Sequence, residues 1–268
     1  LLEGKGRMLN MEKKIKVAAV GDNCVDAYDQ TGEAFPGGNP VNVAVYTVRL
    51  GGEASYTGVV GDDAYGKLMK DSIAKKGVDV SHLKVMPGST AVTHVEIIDG
   101  ERILGDYEEG VMADFKLSEE DIEFLGSHDL VVSGIWGMIE NDLEKIKACG
   151  TRIAFDFATK YESPVIDIAI PFVDYAFFAY DGEDEEWMRN FMEEMQKKGA
   201  KTVIVTRGTK GSVAYDGTSY TEFGIIPCDV VDTMGAGTAS LQVFLYGILQ
   251  GKSLQESMEQ GDKKQQRD

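Results

Sequence analysis

The stretch "DTMGAG" has the residue types of an anion site at the start of a helix. Gly235, Ala236 and Gly237 would present backbone N–H groups there, where the helix dipole favours a transferring phosphoryl group. Asp232 and Thr233 stand beside them and could hold a cation. The stretch therefore predicts phosphoryl-transfer chemistry.

A second stretch, "FPGGNPVNVAVY", could bind a hydroxylated ligand. Gly37 and Gly38 let the backbone approach a ligand closely, and Asn39 and Asn42 add polar groups around the first turn of a predicted helix. Upstream, "GDNCVD" follows a predicted strand and carries side chains that can hold sugar hydroxyls, namely Asp22, Asn23 and Asp26. A plain helix start and an Asx-turn are the structural alternatives for these two stretches.

The third stretch is "VIVTRGTKGS", in which residues 206–211, here called the glycine turn, follow a predicted strand. Its Thr206, Gly208 and Gly211 could receive the phosphates or ribose of a nucleotide, although glycine turns are common in proteins of every class. A dinucleotide-dependent oxidoreductase is not indicated, because no G-x-G-x-x-G opens the first helix.

Composition narrows the class of partner. The chain has 268 residues, 43% of them hydrophobic, and a formal net charge of −18. That charge argues against nucleic acid and anionic membranes, whose phosphates it would repel, but not against a nucleotide bound by backbone N–H groups. Cys24, Cys149 and Cys228 are widely spaced, which favours buried free thiols in a reducing cytoplasm and no metal site.

The order of elements predicts an α/β fold. Strand-like and helix-like runs alternate, which indicates a mostly parallel central sheet flanked by helices. The helix after Gly38 is expected to use Asn39 as its cap and Pro40 as its first residue, and Ser118 is expected to cap another. Two hairpins, "STAVTHVEII" with "ERILGDY" and "GSVAYDGTSYTEF", break the alternation. The first could form a small β-sheet over the carboxyl ends of the strands, where such sheets bind ligands.

In this order, the stretches resemble the ribokinase-like (PfkB) carbohydrate kinases. "PGGNPVNVAVYTVRLGG" is similar to the family's first signature, "VGDDAYG" and "TRGTKG" to two further stretches, and "DTMGAG" to the start of its second signature. The resemblance extends from about residue 14 to 249. Within the family, "GDNCVD", "IWG" and "AFDFATKYESP" are most similar to bacterial fructoselysine 6-kinases.

The resemblance implies one kinase domain over residues 11–268, preceded by a leader at 1–10 that is not part of the fold. It implies a β-sheet lid from about 27–35 and 85–107, ATP, Mg²⁺, a monovalent cation such as K⁺, and a homodimer through the lids. Asp26, Gly37, Gly38 and Asn42 match sugar-binding positions, and the three glycine-turn residues match nucleotide positions. Residues 235–237 match the anion hole, and Glu183 matches the acid that orients Mg²⁺ through water. Asp232, beside the anion hole, is the second candidate metal ligand. The asparagine that usually precedes this glutamate in the family is not evident.

One position departs from the family. An aspartate usually follows "GAG" as the base that deprotonates the sugar hydroxyl, and this chain has Thr238. Reading the codons of a family-like "DSFIAGF" one base out of frame gives "TASLQV", the residues at 238–243 here. We therefore expect 238–243 and about 265–268 to be frame-shifted copies of ordinary family sequence, and the C-terminal segment to end early. The expected activity is phosphorylation of the 6-hydroxyl of fructoselysine or a related fructosamine, with impaired turnover.

Two alternatives stay open at this stage. One is a catalytically dead sugar- or nucleotide-binding member of the same fold, and the other is a nucleoside kinase, which is disfavoured because no aromatic cluster is placed to stack a base. His82, His94 and His128 receive no role. Trp136 follows a predicted strand and is expected to pack in the core rather than to line a site.

Overall fold

The computed structural model describes residues 14–98, 101–224, 244, 245, 247–253 and 256. Its strands are, in chain order, β1 Lys16–Val20, β2 Cys24–Tyr28, β3 Glu33–Gly37, β4 Glu53–Gly61, β5 Leu83–Met86, β6 Val92–Ile98, β7 Glu101–Glu108, β8 Leu130–Gly134, β9 Arg152–Asp156, β10 Tyr175–Ala179, β11 Thr202–Thr206, β12 Ser212–Tyr215 and β13 Tyr220–Phe223. Its helices are α1 Asn39–Arg49, α2 Ala64–Lys75, α3 Glu119–Gly126, α4 Leu143–Ala148, α5 Pro164–Ala169 and α6 Glu185–Lys198. Short 3₁₀ turns lie at Gly110–Asp114, Glu140–Asp142, Ile170–Phe172 and Gly208–Lys210.

Nine strands form the large sheet in the order β13-β12-β11-β10-β9-β8-β1-β4-β5. Every neighbouring pair from β11 to β5 is parallel, and among the described strands of this sheet only β12 runs in the opposite direction, because it pairs antiparallel with both β11 and β13. The carboxyl ends of the parallel strands therefore share one edge of the sheet. The predicted α/β class with a mostly parallel sheet is confirmed.

Both faces of this sheet are buried, as a parallel sheet requires. Successive residues of a strand point to opposite faces, so Ala18 packs with α3 to α6 on one side and Ala19 packs with α1 and α2 on the other. The nearly continuous apolar runs of the central strands, which the sequence showed, follow from this two-sided burial.

Four strands form a separate small sheet in the order β3-β2-β6-β7. The predicted pairing of β6 with β7 is confirmed as antiparallel, and its turn at 99–100 lies outside the described residues. The second predicted hairpin, β12 with β13, is also confirmed, and among the described strands it lies at one edge of the large sheet. β5, which includes Val85, pairs with β4 in the large sheet, so the small sheet begins at Val92 in this part of the chain.

The start of α1 differs from the prediction. The helix begins at Asn39 itself, Gly38 precedes it with φ 104°, and Pro40 stands in the first turn after Asn39. The Asn39 side chain does not cap the helix because it donates across the sheet edge to Asp156. Ser118 does cap α3, in a capping box with Asp121.

Two predictions of burial were wrong. Trp136 is 55% exposed because it lies in the loop after β8 rather than in a strand. Cys149 is exposed at the end of α4, whereas Cys24 is half-buried, and Cys228 lies outside the described residues. None of the helices in the described ranges combines the length and apolarity that a bilayer crossing requires.

Candidate active site at the carboxyl edge of the large sheet

The sugar-type and nucleotide-type stretches meet at one edge of the large sheet. Asp22 follows β1, Asp156 ends β9, and Thr206 ends β11. β1 and β11 are four strand positions apart, which corresponds to about 19 Å at about 4.8 Å per strand. This distance suits two ligands that lie side by side along the edge.

Gly38 brings the start of α1 against the end of β1. A Cβ at Gly38 would lie 2.8 Å from the Asn23 Cα and 3.0 Å from the Asp22 carbonyl oxygen, and its φ of 104° is a conformation that favours glycine. Gly37 is constrained less, since a Cβ there would lie 2.9 Å from a side-chain carboxylate oxygen of Asp26, which can shift. The glycine pair therefore holds the helix start against the acids that follow β1.

Three residues, Asp22, Asn39 and Asp156, form a connected group that we call the acidic shelf. The Asn39 side-chain amide donates to Asp156 Oδ2 at 2.8 Å, and the Asn39 backbone N–H donates to the Asp22 carboxylate. The other oxygen of Asp156 accepts from the Ala158 N–H at 2.8 Å. Asn39 thus joins carboxylates from two strands that are not neighbours in the sheet.

Burial sets the protonation behaviour of the shelf. Loss of water raises the pKa of Asp22 to about 6, and the nearby Asp156 carboxylate adds to this rise. Burial also raises the pKa of Asp156, against the lowering effect of its hydrogen bonds from Ala158 and Asn39. A cation or a hydrogen-bond donor placed on the shelf would offset both costs.

Asn23, which follows Asp22 in the chain, forms with Tyr56 a buried hydrogen-bonded pair that we call the brace. The side-chain amide of Asn23, which is 1% exposed, donates to the Tyr56 hydroxyl at 2.9 Å and to the Val59 carbonyl at 2.8 Å. The Tyr56 hydroxyl in turn donates to the Gly21 carbonyl at 2.8 Å. Asn23 is therefore a positioning residue that points into the core, not a ligand-binding residue as its position suggested.

The small sheet borders the shelf. Asp26 on β2 lies in register with Phe35 and Thr93, and Thr93 lies in register with Tyr107 on β7. Burial raises the pKa of Tyr107 to about 12, with smaller contributions from negative charge at Cys24, Glu109 and Asp22. Tyr107 therefore keeps its proton at neutral pH, and its hydroxyl lies within electrostatic range of Asp22.

The loop after β8 packs against the residue that follows β1. A Cβ at Gly21 would lie 2.5 Å from the Gly137 Cα, so the two backbones touch. This contact places the exposed Trp136 in the loop directly beside the end of β1. Asn42, which the resemblance places at the sugar, is half-buried in the first turn of α1, where its N–H donates to the Gly38 carbonyl at 3.1 Å.

The glycine turn follows β11. Gly208 and Gly211 have φ of 52° and 80°, and the Arg207 N–H donates to the Gly211 carbonyl at 2.7 Å, which closes the loop. A Cβ at Gly208 would meet no atom of the described residues within 4 Å. Thr206 is tied to the adjacent strand by a hydroxyl bond to the Phe178 carbonyl at 3.3 Å.

Glu183 lies beside this turn and is engaged there. Its exposed carboxylate pairs with Lys210, which lowers the pKa of Glu183. Arg207 pairs with Glu185 at 3.0 Å. Within the described ranges, His, Cys, Asp and Glu side chains form no group of three that could hold a metal ion.

An aromatic cluster that the sequence did not reveal lies after β10. Tyr180 stacks on Trp187 with ring centroids 5.1 Å apart, Trp187 stacks on Phe191 at 5.3 Å, and Tyr161 contacts all three rings edge-on. Because these rings use one another's faces, the cluster is packing between α6 and the sheet rather than a prepared surface for a base.

The phosphoryl-transfer residues cannot be placed. Asp232, Gly235, Ala236, Gly237 and Thr238 all lie outside the described residues. Sequence reasoning also missed Asp156 and Tyr107. A signal existed for Asp156, an acid at the carboxyl end of the strand "RIAFD", the position where open α/β sheets bind ligands. No sequence signal distinguished Tyr107 from other residues of its hairpin.

Relatives with assigned activities cover nearly the whole chain. It is 46% identical over 245 residues to a fructoselysine 6-kinase of Shigella flexneri, an alignment that covers 91% of this chain and 94% of the relative. It is 45% identical to a fructoselysine 6-kinase of Escherichia coli (strain K12) over the same shares, and 33% identical to a fructosamine kinase of Bacillus subtilis (strain 168) over 86% of this chain and 82% of the relative.

A solved structure and a family model also match this chain, in agreement with these relatives. The solved structure of Arabidopsis thaliana ribokinase complexed with ribose and ATP superposes with a TM-score of 0.82 and 23% identity, over 93% of this chain and 90% of that one. The family model for pfkB family carbohydrate kinases matches residues 11–263. The chain therefore belongs to the pfkB family of carbohydrate kinases.

Proposed function

We propose that this chain is an ATP-dependent kinase for the 6-hydroxyl of fructoselysine or a related fructosamine. The observation that carries the proposal is the acidic shelf beside the glycine pair, in a chain that is 46% identical to a fructoselysine 6-kinase. Asp26, Gly37, Gly38 and Asn42 would line the sugar, as their match to the family's sugar positions implies.

ATP fits the glycine turn. Two positive-φ glycines and the open space at Gly208 leave backbone exposed to a phosphate or ribose. Bound ATP would supply the transferable phosphoryl group. Thr206, Gly208 and Gly211 would hold it from the β11 side, and residues 235–237 would stabilise charge on the transferring group from a helix start.

Mg²⁺ is bound in such enzymes by one or two carboxylates together with substrate phosphates. Glu183 would therefore have to leave Lys210 before it could contribute, directly or through water. Asp232 is the second candidate. A monovalent cation such as K⁺ also remains a prediction, which comparing turnover in K⁺ and in a large organic cation would test.

Thr238 makes impaired turnover the expected behaviour. Phosphoryl transfer depends mainly on positioning and charge stabilisation, but threonine cannot accept the sugar proton at neutral pH. Loss of a general base costs about 10²–10⁴-fold in rate. The second candidate function, a sugar- or nucleotide-binding protein without turnover, is favoured by this one residue.

The proposal is tested by ATP-dependent phosphorylation of fructoselysine, with product analysis at the 6-position. The proteins compared are this chain, Thr238→Asp, and a version in which "DSFIAG" replaces residues 238–243 and a family-like helix extends the C terminus. Thr238→Asn is the matched control, because it restores size and polarity without a base. Turnover by the restored protein alone supports the proposal together with the frame-shift hypothesis. If no version phosphorylates or binds fructoselysine, the substrate assignment is wrong.

We also propose a homodimer through the small sheet. Phe35, Leu104 and Tyr107 are each at least 50% exposed, and Ile97 is more than 40% exposed on the same sheet. A dimer would bury this apolar surface. Light scattering on the intact chain and on Leu104→Glu tests it, since a charge there should shift a dimer towards monomer. Equal masses for both proteins, whether monomer or dimer, would argue against this surface as the interface.

The single domain over residues 11–268 and the cytoplasmic location stay predictions. The free thiols of Cys24 and Cys149 are consistent with a reducing compartment.

A further inference from the structure

We infer that the acidic shelf recognises the positive charge of an aminodeoxy sugar, and that Asp22 and Asp156 discriminate fructosamines from neutral sugars. The inference rests on the proposed function and deepens it, because it assigns substrate specificity to residues outside the sugar-binding positions that the family resemblance supplied.

The first argument is that the shelf has negative charge with only neutral partners. Both carboxylates are half-buried, and Asp156 lies close enough for its charge to raise the pKa of Asp22. Their described hydrogen-bond donors are backbone and amide N–H groups. Among the described residues, no lysine, arginine or histidine forms an ion pair with either. Elsewhere the chain does pair its buried acids, since Asp121 contacts Lys84 and His82, and Asp174 contacts two lysines.

The second argument is an unused acceptor in the same place. The side-chain oxygen of Asn39 is buried and has no hydrogen-bond partner among the described residues, although the amide nitrogen of the same group donates to Asp156. A buried acceptor without a donor carries a desolvation cost of its own. The shelf therefore combines the carboxylate oxygens of Asp22 and Asp156 with an unused amide oxygen of Asn39, and the donors that the described residues supply to it are all neutral.

The chemistry of the ligand follows from this imbalance. The amine that a fructosamine carries at carbon 1 is protonated at neutral pH and brings both a positive charge and at least two N–H donors. A neutral ketose has a hydroxyl at the same carbon, with one donor and no charge. Charge-assisted hydrogen bonds are roughly twice as strong as neutral ones, so the shelf should distinguish the two ligands.

The position of the shelf agrees with this role. It is held against Gly38, and Gly37 touches Asp26, so the shelf adjoins the side chains expected to hold the sugar hydroxyls. It lies at β1 and β9, whereas the glycine turn lies at β11. Asp22, four strand positions from the glycine turn, lies on the side of the site away from the nucleotide, where carbon 1 must be if carbon 6 receives the phosphoryl group. Asp156 lies two positions from the turn and is joined to this side by Asn39.

The test is calorimetric binding to the full chain without ATP, so that it does not depend on Thr238. The probes are 1-amino-1-deoxyfructose and fructose, which differ only in the group at carbon 1. The variants are Asp156→Asn and Asp22→Asn. Asp71→Asn is the control, because it removes an exposed carboxylate on α2 that pairs with Lys67.

We expect the unaltered chain to bind the aminodeoxy sugar more tightly than fructose. Each shelf variant should weaken binding of the aminodeoxy sugar by about 10- to 100-fold, the range of one charged hydrogen bond, and change fructose binding by less than about 3-fold. The control should change neither. Thermal unfolding of each variant excludes a merely structural effect, since loss of a structural contact would lower stability and weaken both ligands alike.

The inference is overturned if the unaltered chain does not prefer the aminodeoxy sugar, or if the shelf variants weaken both ligands by the same factor. Failure of the proposed function gives a different result: fructoselysine would be neither bound nor phosphorylated, while the preference for the aminodeoxy sugar, and its loss in the shelf variants, could still be measured.

Discussion

The two ends of the candidate site are built from different kinds of contact. At the acidic shelf, close-packed glycines and hydrogen bonds between distant parts of the chain fix half-buried polar groups. At the glycine turn, Gly208 meets open space among the described residues, and exposed side chains form ion pairs such as Lys210 with Glu183. Preorganisation therefore belongs to the sugar end, while the nucleotide end can rearrange at little cost. Four substitutions test this contrast, from the largest expected effect to the smallest.

Gly38→Ala should damage the protein most. The new Cβ would lie 2.8 Å from backbone, and the positive φ adds strain, so we expect a loss of about 2–5 kcal/mol in unfolding free energy and loss of sugar binding. Urea denaturation and calorimetry measure both. Gly208→Ala is the control, since its positive φ comes with open space, and it should cost about 1–2 kcal/mol. Equal losses at the two positions would contradict the contrast.

Asp22→Asn should stabilise the protein at neutral pH. The folded state raises the pKa of Asp22 from 3.8 to about 6, so it binds the proton more tightly than the unfolded chain does. The contribution of Asp22 to stability is therefore full below about pH 4 and is lost as pH rises through about 6. Because asparagine does not ionise, the variant does not lose stability in this way as pH rises. Its unfolding free energy at pH 8 should therefore exceed that of the unaltered chain by about 1–3 kcal/mol.

Urea denaturation from pH 4 to 8 measures that difference. Asp216→Asn gives the opposite sign, because hydrogen bonds from Ser219 and Thr218 lower the pKa of Asp216, whose contribution is lost as pH falls. A pH-independent difference between Asp22→Asn and the unaltered chain would show that the Asp22 carboxyl is not perturbed by folding.

Tyr56→Phe tests the brace under the shelf. The buried hydroxyl bonds Asn23 and the Gly21 carbonyl, and its removal leaves both without this partner, so we expect a loss of about 1–3 kcal/mol. Tyr220→Phe is the matched control, because its hydroxyl is only half-buried and bonds Arg189 and Glu193 near the surface. Denaturation midpoints compare the two. A larger loss of stability for Tyr220→Phe than for Tyr56→Phe would contradict the conclusion that the sugar end is the preorganised part of the site.

Glu183→Gln should leave stability unchanged at physiological salt, because exposed ion pairs contribute little. If Glu183 orients Mg²⁺, the variant of the restored enzyme should lower kcat, and Lys210→Met should not. Steady-state kinetics at varied Mg²⁺ separates these outcomes. A loss of stability from either change would show that the glycine turn is as fixed as the shelf.

The fold could be predicted largely from the sequence, because hydrophobic periodicity and the glycines that end helices and strands can be recognised in short stretches of the chain. The hairpin of β6 with β7 and the capping box of Ser118 followed from such signals. The role of Asn39 could not be predicted from the sequence. Its neighbours in the chain left two roles open for its side chain, as a helix cap or as a ligand contact. The deciding partner, Asp156, is 117 residues away.

Exposure was the other quantity that local pattern did not determine. Trp136 has the hydrophobicity of a core residue, but the contact of Gly137 with Gly21 holds its loop at the surface beside β1. Tyr107 borders the shelf only because β7 pairs with β6 and β6 with β2. Both placements depend on strand order in three dimensions, which periodicity along the chain does not contain.

The link between Asn39 and Asp156 also sets the order in which the protein can mature on the ribosome. At about 5–20 residues per second, Asp156 is polymerised roughly 6–23 s after Asn39, and the exit tunnel delays their meeting further. β1 likewise receives one neighbour, β4, long before the other, β8. Until β8 and β9 have been synthesised, the nascent chain therefore has one side of β1 without its neighbouring strand and an Asn39 amide without its partner Asp156. We expect chaperone binding to matter most during that interval.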